Sequence, residues 1–252
     1  VADEASHLIA VTDADTVNIE IVASLAALIK RQKAENRYDS PVDWVQCVLH
    51  IANSELYDFF LAKEFEDNQQ VEIKLFSLYQ QAARLLFQAM PPGHNRDTTA
   101  PGAEVHLAIL GFAKLGQQVL IKALHLGHFY NGIPIKVTLA DDDIDAKRAA
   151  FEKQYPLDSA AYSDYWRLEF LSQAAFFRQP QLPYSHIICA EDSEEKALAE
   201  AMRLIAKYKA QIAADPIQIS IYASAFANIP KIINHDNEKV FIYVNTFGEW
   251  DK

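Results

Sequence analysis

The residues whose types and spacing could do chemistry lie at 105–116, reading Val-His-Leu-Ala-Ile-Leu-Gly-Phe-Ala-Lys-Leu-Gly. An apolar, strand-like run (Val105–Leu110) stops at Gly111, and an amphipathic stretch of helical period continues from there to Leu126. A glycine at the first position of such a turn allows a tight reversal, and one at the last lets the helix pack closely on the strand. The start of the helix then offers N–H groups without acceptors and the positive end of its dipole, a combination that attracts phosphate. Gly111-Phe112-Ala113-Lys114-Leu115-Gly116 is the G-x-G-x-x-G dinucleotide fingerprint with Ala113 at its middle glycine. These six residues are therefore expected to form the phosphate side of a site for NAD or an adenine nucleotide. The methyl of Ala113 stands where bare backbone normally approaches the pyrophosphate.

A second element of such a site is an acid at the end of the next strand, where it accepts hydrogen bonds from an adenosine ribose. Ile135–Ala140 reads as that strand, and it runs into Asp141-Asp142-Asp143. Asp141 or Asp142 is the expected ribose acceptor, favouring a free 2′-hydroxyl over a 2′-phosphate. The spacing from Gly111 exceeds the usual separation of about 20 residues, and the excess is accounted for by an insertion at 125–134. The triple aspartate also fits a solvated helix start with Asp143 as the cap. Asp13, Asp15, Glu191 and Asp192 likewise follow strand ends, where they fit either a ligand crevice or helix caps. Lys114 fits a phosphate contact or a helix surface.

The remaining reactive residues assemble no catalytic set. The eight histidines show no metal-ligand spacing; His125 and His128 are three apart, without an HExxH context. Cys47 and Cys189 each sit inside an apolar run and read as small buried hydrophobes. No GxSxG, no Walker A motif and no placed Cys–His pair occurs. A binding module rather than an enzyme is expected.

The elements that must position these residues alternate regularly. Strands at 7–12, 44–51, 71–75, 105–110, 135–140, 167–171, 185–190, 217–222 and 240–245 are separated in large part by helical patterns. That alternation predicts an α/β fold built from βαβ units on parallel sheets, and near-continuous apolar strands fit sheets covered on both faces. The sequence also repeats itself. HLIAVTDADTVNIEIVASLAALI from His7 matches HIICAEDSEEKALAEAMRLIAKY from His186, and WVQCVLHI and ELYDFFL are followed in kind by IQISIYA and FANIPKII. The second copy is preceded by a full front half at 105–171, and the first is not. The expected organisation is thus the C-terminal half of one Rossmann-like domain (1–90), a Pro- and Gly-rich linker (91–104), and a second, nearly complete doubly wound Rossmann-like domain (105–252).

Composition narrows the partners. A net charge of -11 argues against a nucleic-acid backbone or an anionic membrane surface as the main partner. Two cysteines imply no disulfide framework, as expected of a reducing cytoplasm. No apolar run approaches the roughly 18 to 20 residues that cross a bilayer. The chain opens on Val1 and enters an apolar strand almost at once, which predicts that it starts inside a longer polypeptide.

These motifs together resemble one family. VHLAILGFAKLGQQVLIKAL followed by IKVTLADDD resembles the N-terminal subdomain of TrkA and RCK (regulator of potassium conductance) modules. HLIAVTDADTVNIEIVASLAAL, with Asp13, Asp15 and Asn18, looks like the fourth strand and helix of that class, and WVQCVLHIANSELYDFFL like its next strand and helix. The resemblance covers most of the chain. It implies a cytoplasmic nucleotide-binding module of a potassium channel or transporter, partnered by a membrane subunit or segment and assembled as a homodimer or larger ring. The chain departs from the pattern at Ala113, and at Ser172-Gln173-Ala174 where the family often has Gly-Asp.

Overall fold

The computed structural model describes residues 6–35, 45–62, 71–94, 96–157, 164–191, 193–214, 217–223 and 243–247. They form two compact units that divide between Leu78 and Tyr79. In the first, strands β1 (His7–Ala10), β2 (Val45–His50) and β3 (Val71–Phe76) pair in parallel in the order β1-β2-β3. Helices α1 (Asp15–Ala34) and α2 (Ser54–Ala62) link them. The core joins Ala10, Cys47, Leu49 and Val71 of the strands to Val22 and Ile29 of α1.

The second unit continues with α3 (Leu78–Ala89), β4 (His106–Leu110), α4 (Lys114–Leu126), β5 (Ile135–Asp141), α5 (Ile144–Gln154) and β6 (Trp166–Ser172). A short α6 (Gln173–Phe176), β7 (His186–Cys189), α7 (Glu194–Ala214), β8 (Gln218–Tyr222) and β9 (Tyr243–Phe247) complete it. Its six strands are all parallel, in the order β6-β5-β4-β7-β8-β9. Numbered within the unit this is 3-2-1-4-5-6, the doubly wound dinucleotide-binding order. The three strands of the first unit correspond to the 4-5-6 half, so one partial and one nearly complete Rossmann-like copy are present. The segment FANIPKII lies outside the described residues.

The apolar runs form strands because both sheet faces are covered. Successive side chains of a strand point to opposite faces. Leu107 and Ile109 of β4 accordingly enter one core with α3, α4 and α5, whereas Ala108 and Leu110 enter the other with α6 and α7.

Helix α3 takes a place different from its expected one at the end of the first domain. Its buried stripe, Ala82, Ala83, Leu86 and Phe87, packs with Leu107, Val119 and Val137 of the second unit. The stretch 91–104 is then a connection inside that unit, from α3 to β4. It is pinned by Asn131, whose side-chain amide donates to the carbonyls of Ala100 and Ala103 at 3.2 and 2.9 Å.

Candidate functional site

The switch point of the second sheet lies between β4 and β7, where chain connections leave in opposite directions and open α/β sheets take their ligands. β4 ends there at Leu110, held on one side by the Ala190 N–H, which donates to its carbonyl at 2.7 Å. Gly111 donates its own N–H to the Ala140 carbonyl at 2.9 Å and adopts φ +91°. A Cβ on Gly111 would stand 2.8 Å from the Ala190 carbonyl oxygen, so both conformation and space require glycine. A Cβ on Gly116 would fall 2.0 Å from the Gly111 carbonyl oxygen. The two fingerprint glycines are thus locked onto each other, and the turn delivers α4 directly against the switch point.

Ala113 is the N-cap of α4, with extended backbone and no side-chain cap bond. The amides of the first turn have no intrahelical acceptors. Phe112 and Leu115 turn their side chains into the core, where the Phe112 ring packs on Phe151 and Phe170 at 5.3 and 5.9 Å between centroids. Lys114 is exposed. The fingerprint therefore presents backbone at Ala113 and the first turn of α4, one exposed lysine, and the methyl of Ala113.

The aspartates after β5 divide their roles. Asp141 is 2% exposed. Its Oδ2 accepts from the Phe112 N–H and from Lys147 Nζ, both at 2.7 Å, and its Oδ1 from the Asp143 N–H at 2.9 Å. Burial opposes its ionisation, but the bonds from Lys147 and the two amides outweigh that and hold its carboxyl below the usual carboxylate range. Asp141 is a latch that fixes the glycine turn to the end of β5. Asp142, the next residue, is exposed at the same strand end. Asp143 occupies the N-cap of α5 without a side-chain cap bond.

A similar pairing closes the β7 side. Buried Glu191 accepts from Lys196 Nζ at 2.9 Å and lies 3.5 Å from Gln173 Nε2. Sequence reasoning missed Lys147 and Lys196, whose signal was their position in the first turns after strand ends, and noted Gln173 without its contact to Glu191. Asp192 lies outside the described residues.

In the first unit, Asp15 and Asn18 tie neighbouring loops together. The two carboxylate oxygens of Asp15 accept from the Ala52 and Asn53 amides, both at 2.8 Å. Buried Asn18 accepts from the Thr12 N–H at 2.7 Å and donates to the carbonyls of Thr12 and His50, both at 3.1 Å. Among the described residues no hydrogen bond joins the Asp13 side chain to this network.

The crevice edge holds backbone donors, acids and the lysines Lys114, Lys147 and Lys196, whereas Cys189, which ends β7 at that edge, is turned into the core. Cys189 is fully buried, and burial first, then Glu200 and Glu191, push its thiol far above the ordinary range. His106 and His186 open β4 and β7 and so sit at the opposite edge of the sheet, bonded to Thr138 Oγ1 and Ser220 Oγ at 2.9 and 2.8 Å. His125 and His128 line a separate apolar cleft of about 470 Å³ beside Phe151, Tyr155, Tyr165 and Trp166. Among the described residues no group of three His, Cys, Asp or Glu is placed to hold a metal ion. Among them, too, no helix is long and apolar enough to cross a membrane. No protein-family model matches the chain, and no curated protein matches it.

Proposed function

We propose that this chain is a regulatory nucleotide-binding module, with the phosphates of an adenine nucleotide or NAD seated on the N-terminus of α4. The observation that carries this reading is the Gly111 turn, which feeds an uncapped helix start into the switch point of a 3-2-1-4-5-6 sheet. Asp142, exposed at the end of β5, is the ribose acceptor in this reading, because the buried Asp141 carboxylate is already engaged. The resemblance of 7–28, 44–61 and 105–143 to TrkA and RCK modules supports the wider role. In that role, nucleotide occupancy biases the assembly or gating of a potassium channel or transporter at the cytoplasmic face, with the module acting as a homodimer or larger ring. The reading is of ligand-gated regulation and assigns no catalysis.

One observation favours a second reading, a purely structural assembly module. The acids at both flanks of the crevice, Asp141 and Glu191, are paired within the fold, and Ala113 narrows the phosphate approach. Calorimetric titration of the purified chain with AMP, ADP, ATP, NAD and NADH separates the two. Saturable binding that Gly111→Asp abolishes, with its fold checked by circular dichroism, supports the nucleotide module. No heat from any nucleotide moves the assignment to the structural one.

A further inference from the structure

The two copies differ most at one place, the outer edge of the first strand. Aligning His7 with His186 pairs β1 with β7 and α1 with α7 residue for residue. In the second unit β7 lies between β8 and β4, and Leu107–Leu110 of β4 run parallel to His186–Cys189. In the first unit, among the described residues, β1 pairs with β2 alone. Ile188 and Ala190, shielded within the second unit, are fully buried. Their counterparts Ile9 and Val11 are 67% and 45% exposed. The Ala190 amide donates to Leu110 of the neighbouring strand, whereas the amide of Val11 has no acceptor among the described residues.

The patch continues onto α1. Val17 and Ile21, 43% and 36% exposed, align with Lys196 and Glu200, which lie beside the crevice acids in the second unit. Four apolar side chains therefore line one unpaired edge. Solvent-facing edges are normally blunted by lysine, proline, a bulge or shortness of the strand; β1, His-Leu-Ile-Ala, is short at 4 residues but carries no lysine or proline. Exposed apolar patches next to unpaired backbone mark docking surfaces.

We propose that the β1 edge is a docking edge for a parallel strand of another polypeptide segment, apolar and followed by a turn and helix, of the type formed here by β4 and α4. The second unit supplies the template, since there that strand type completes the same edge. The β4 of a second copy cannot supply this strand, because it is already enclosed by β5 and β7. The residues at 17 and 21 add a specificity: the incoming turn meets valine and isoleucine where the second unit has a lysine and a glutamate. The completed first copy thus has an apolar seam at its switch point in place of a charged crevice.

The test is a fusion in which a copy of residues 104–185 replaces residues 1–5, so that the added half leads into Ser6. Amide exchange at Ile9 and Val11 is expected to slow at least a hundredfold relative to the unfused chain, on the general behaviour of paired strand amides. Ile9→Lys is then expected to lower the Tm of the fusion and leave that of the unfused chain unchanged. Equal exchange in both folded proteins overturns the proposal. So does protection of β1 in the unfused chain that rises with concentration and is lost in Ile9→Lys, since the occupant is then a second copy. If the fusion does not fold, a lysine-flanked peptide of residues 104–113 is titrated into the full chain. Saturable amide shifts confined to residues 7–12 support the docking edge, and none up to millimolar peptide overturns it.

Discussion

Asp141 shows how a residue of the expected type can sit in the expected place and do different work. Its carboxylate is turned inward, where it joins the Phe112 amide, the Asp143 amide and Lys147 Nζ. Hydrogen bonds to a buried charged group contribute roughly 1.5–3 kcal/mol each. Asp141→Asn is therefore expected to cost about 2–3 kcal/mol at pH 7. The folded-state pKa of Asp141 lies below its ordinary value. The stabilisation is thus complete above the unfolded carboxylate range, near pH 4, and is lost as pH falls through the folded value. Urea unfolding of both proteins from pH 7 to pH 3 should show the gap narrowing at the acid end. A gap that stays constant with pH would mean that the ionised carboxylate is not what holds the turn.

The residues differ in how legible they were, for physical reasons. Gly111 and Gly116 could be read because their constraint is local: a positive φ in one case and contact across five residues in the other. The direction of Asp141 could not, because it is set by a backbone amide from another strand's turn and by a lysine six residues ahead in the first turn of α5. Asn18 could be read as part of a recurring pattern, but its partners on the β2 side, such as the His50 carbonyl, emerge only from the folded sheet.

At the scale of elements, the alternation of apolar strands with amphipathic helices gave the order of nearly every described strand and helix. It did not give the allegiance of α3. That helix follows β3 directly and precedes a stretch rich in proline and glycine, so local signals place it with the first unit. Burial decides otherwise, because its apolar stripe completes the core over β4 and β5, against Leu107, Val119 and Val137. Leu86 is 1% exposed in that core. Leu86→Ala should destabilise the second unit by about 2–5 kcal/mol, the usual cost of a buried leucine cavity. Amide exchange resolves the units: the loss of protection should fall on β4 and β5 and leave β2 and β3 unchanged. If β2 and β3 are the strands that loosen, α3 belongs to the first unit after all.

At the scale of the molecule, the arrangement is a repeated Rossmann-like theme in unequal pieces. One unit carries the full 3-2-1-4-5-6 order and the other its 4-5-6 half. The complete unit holds the glycine turn and the uncapped helix start at its switch point, and the partial unit holds an open apolar edge where its counterpart is paired. In the proposed function a nucleotide phosphate seats against residues 111–116 of the complete unit, crowded by one methyl. Ala113 has extended backbone that glycine adopts equally well, and its side chain makes no cap bond, so removing the methyl widens the approach at little cost to the fold. The most direct test is calorimetric titration of the chain and of Ala113→Gly, side by side, with the same nucleotides. The expected result is single-site binding of at least one nucleotide, several-fold tighter in Ala113→Gly. Absence of binding in both proteins, or equal affinity in the two, would contradict it.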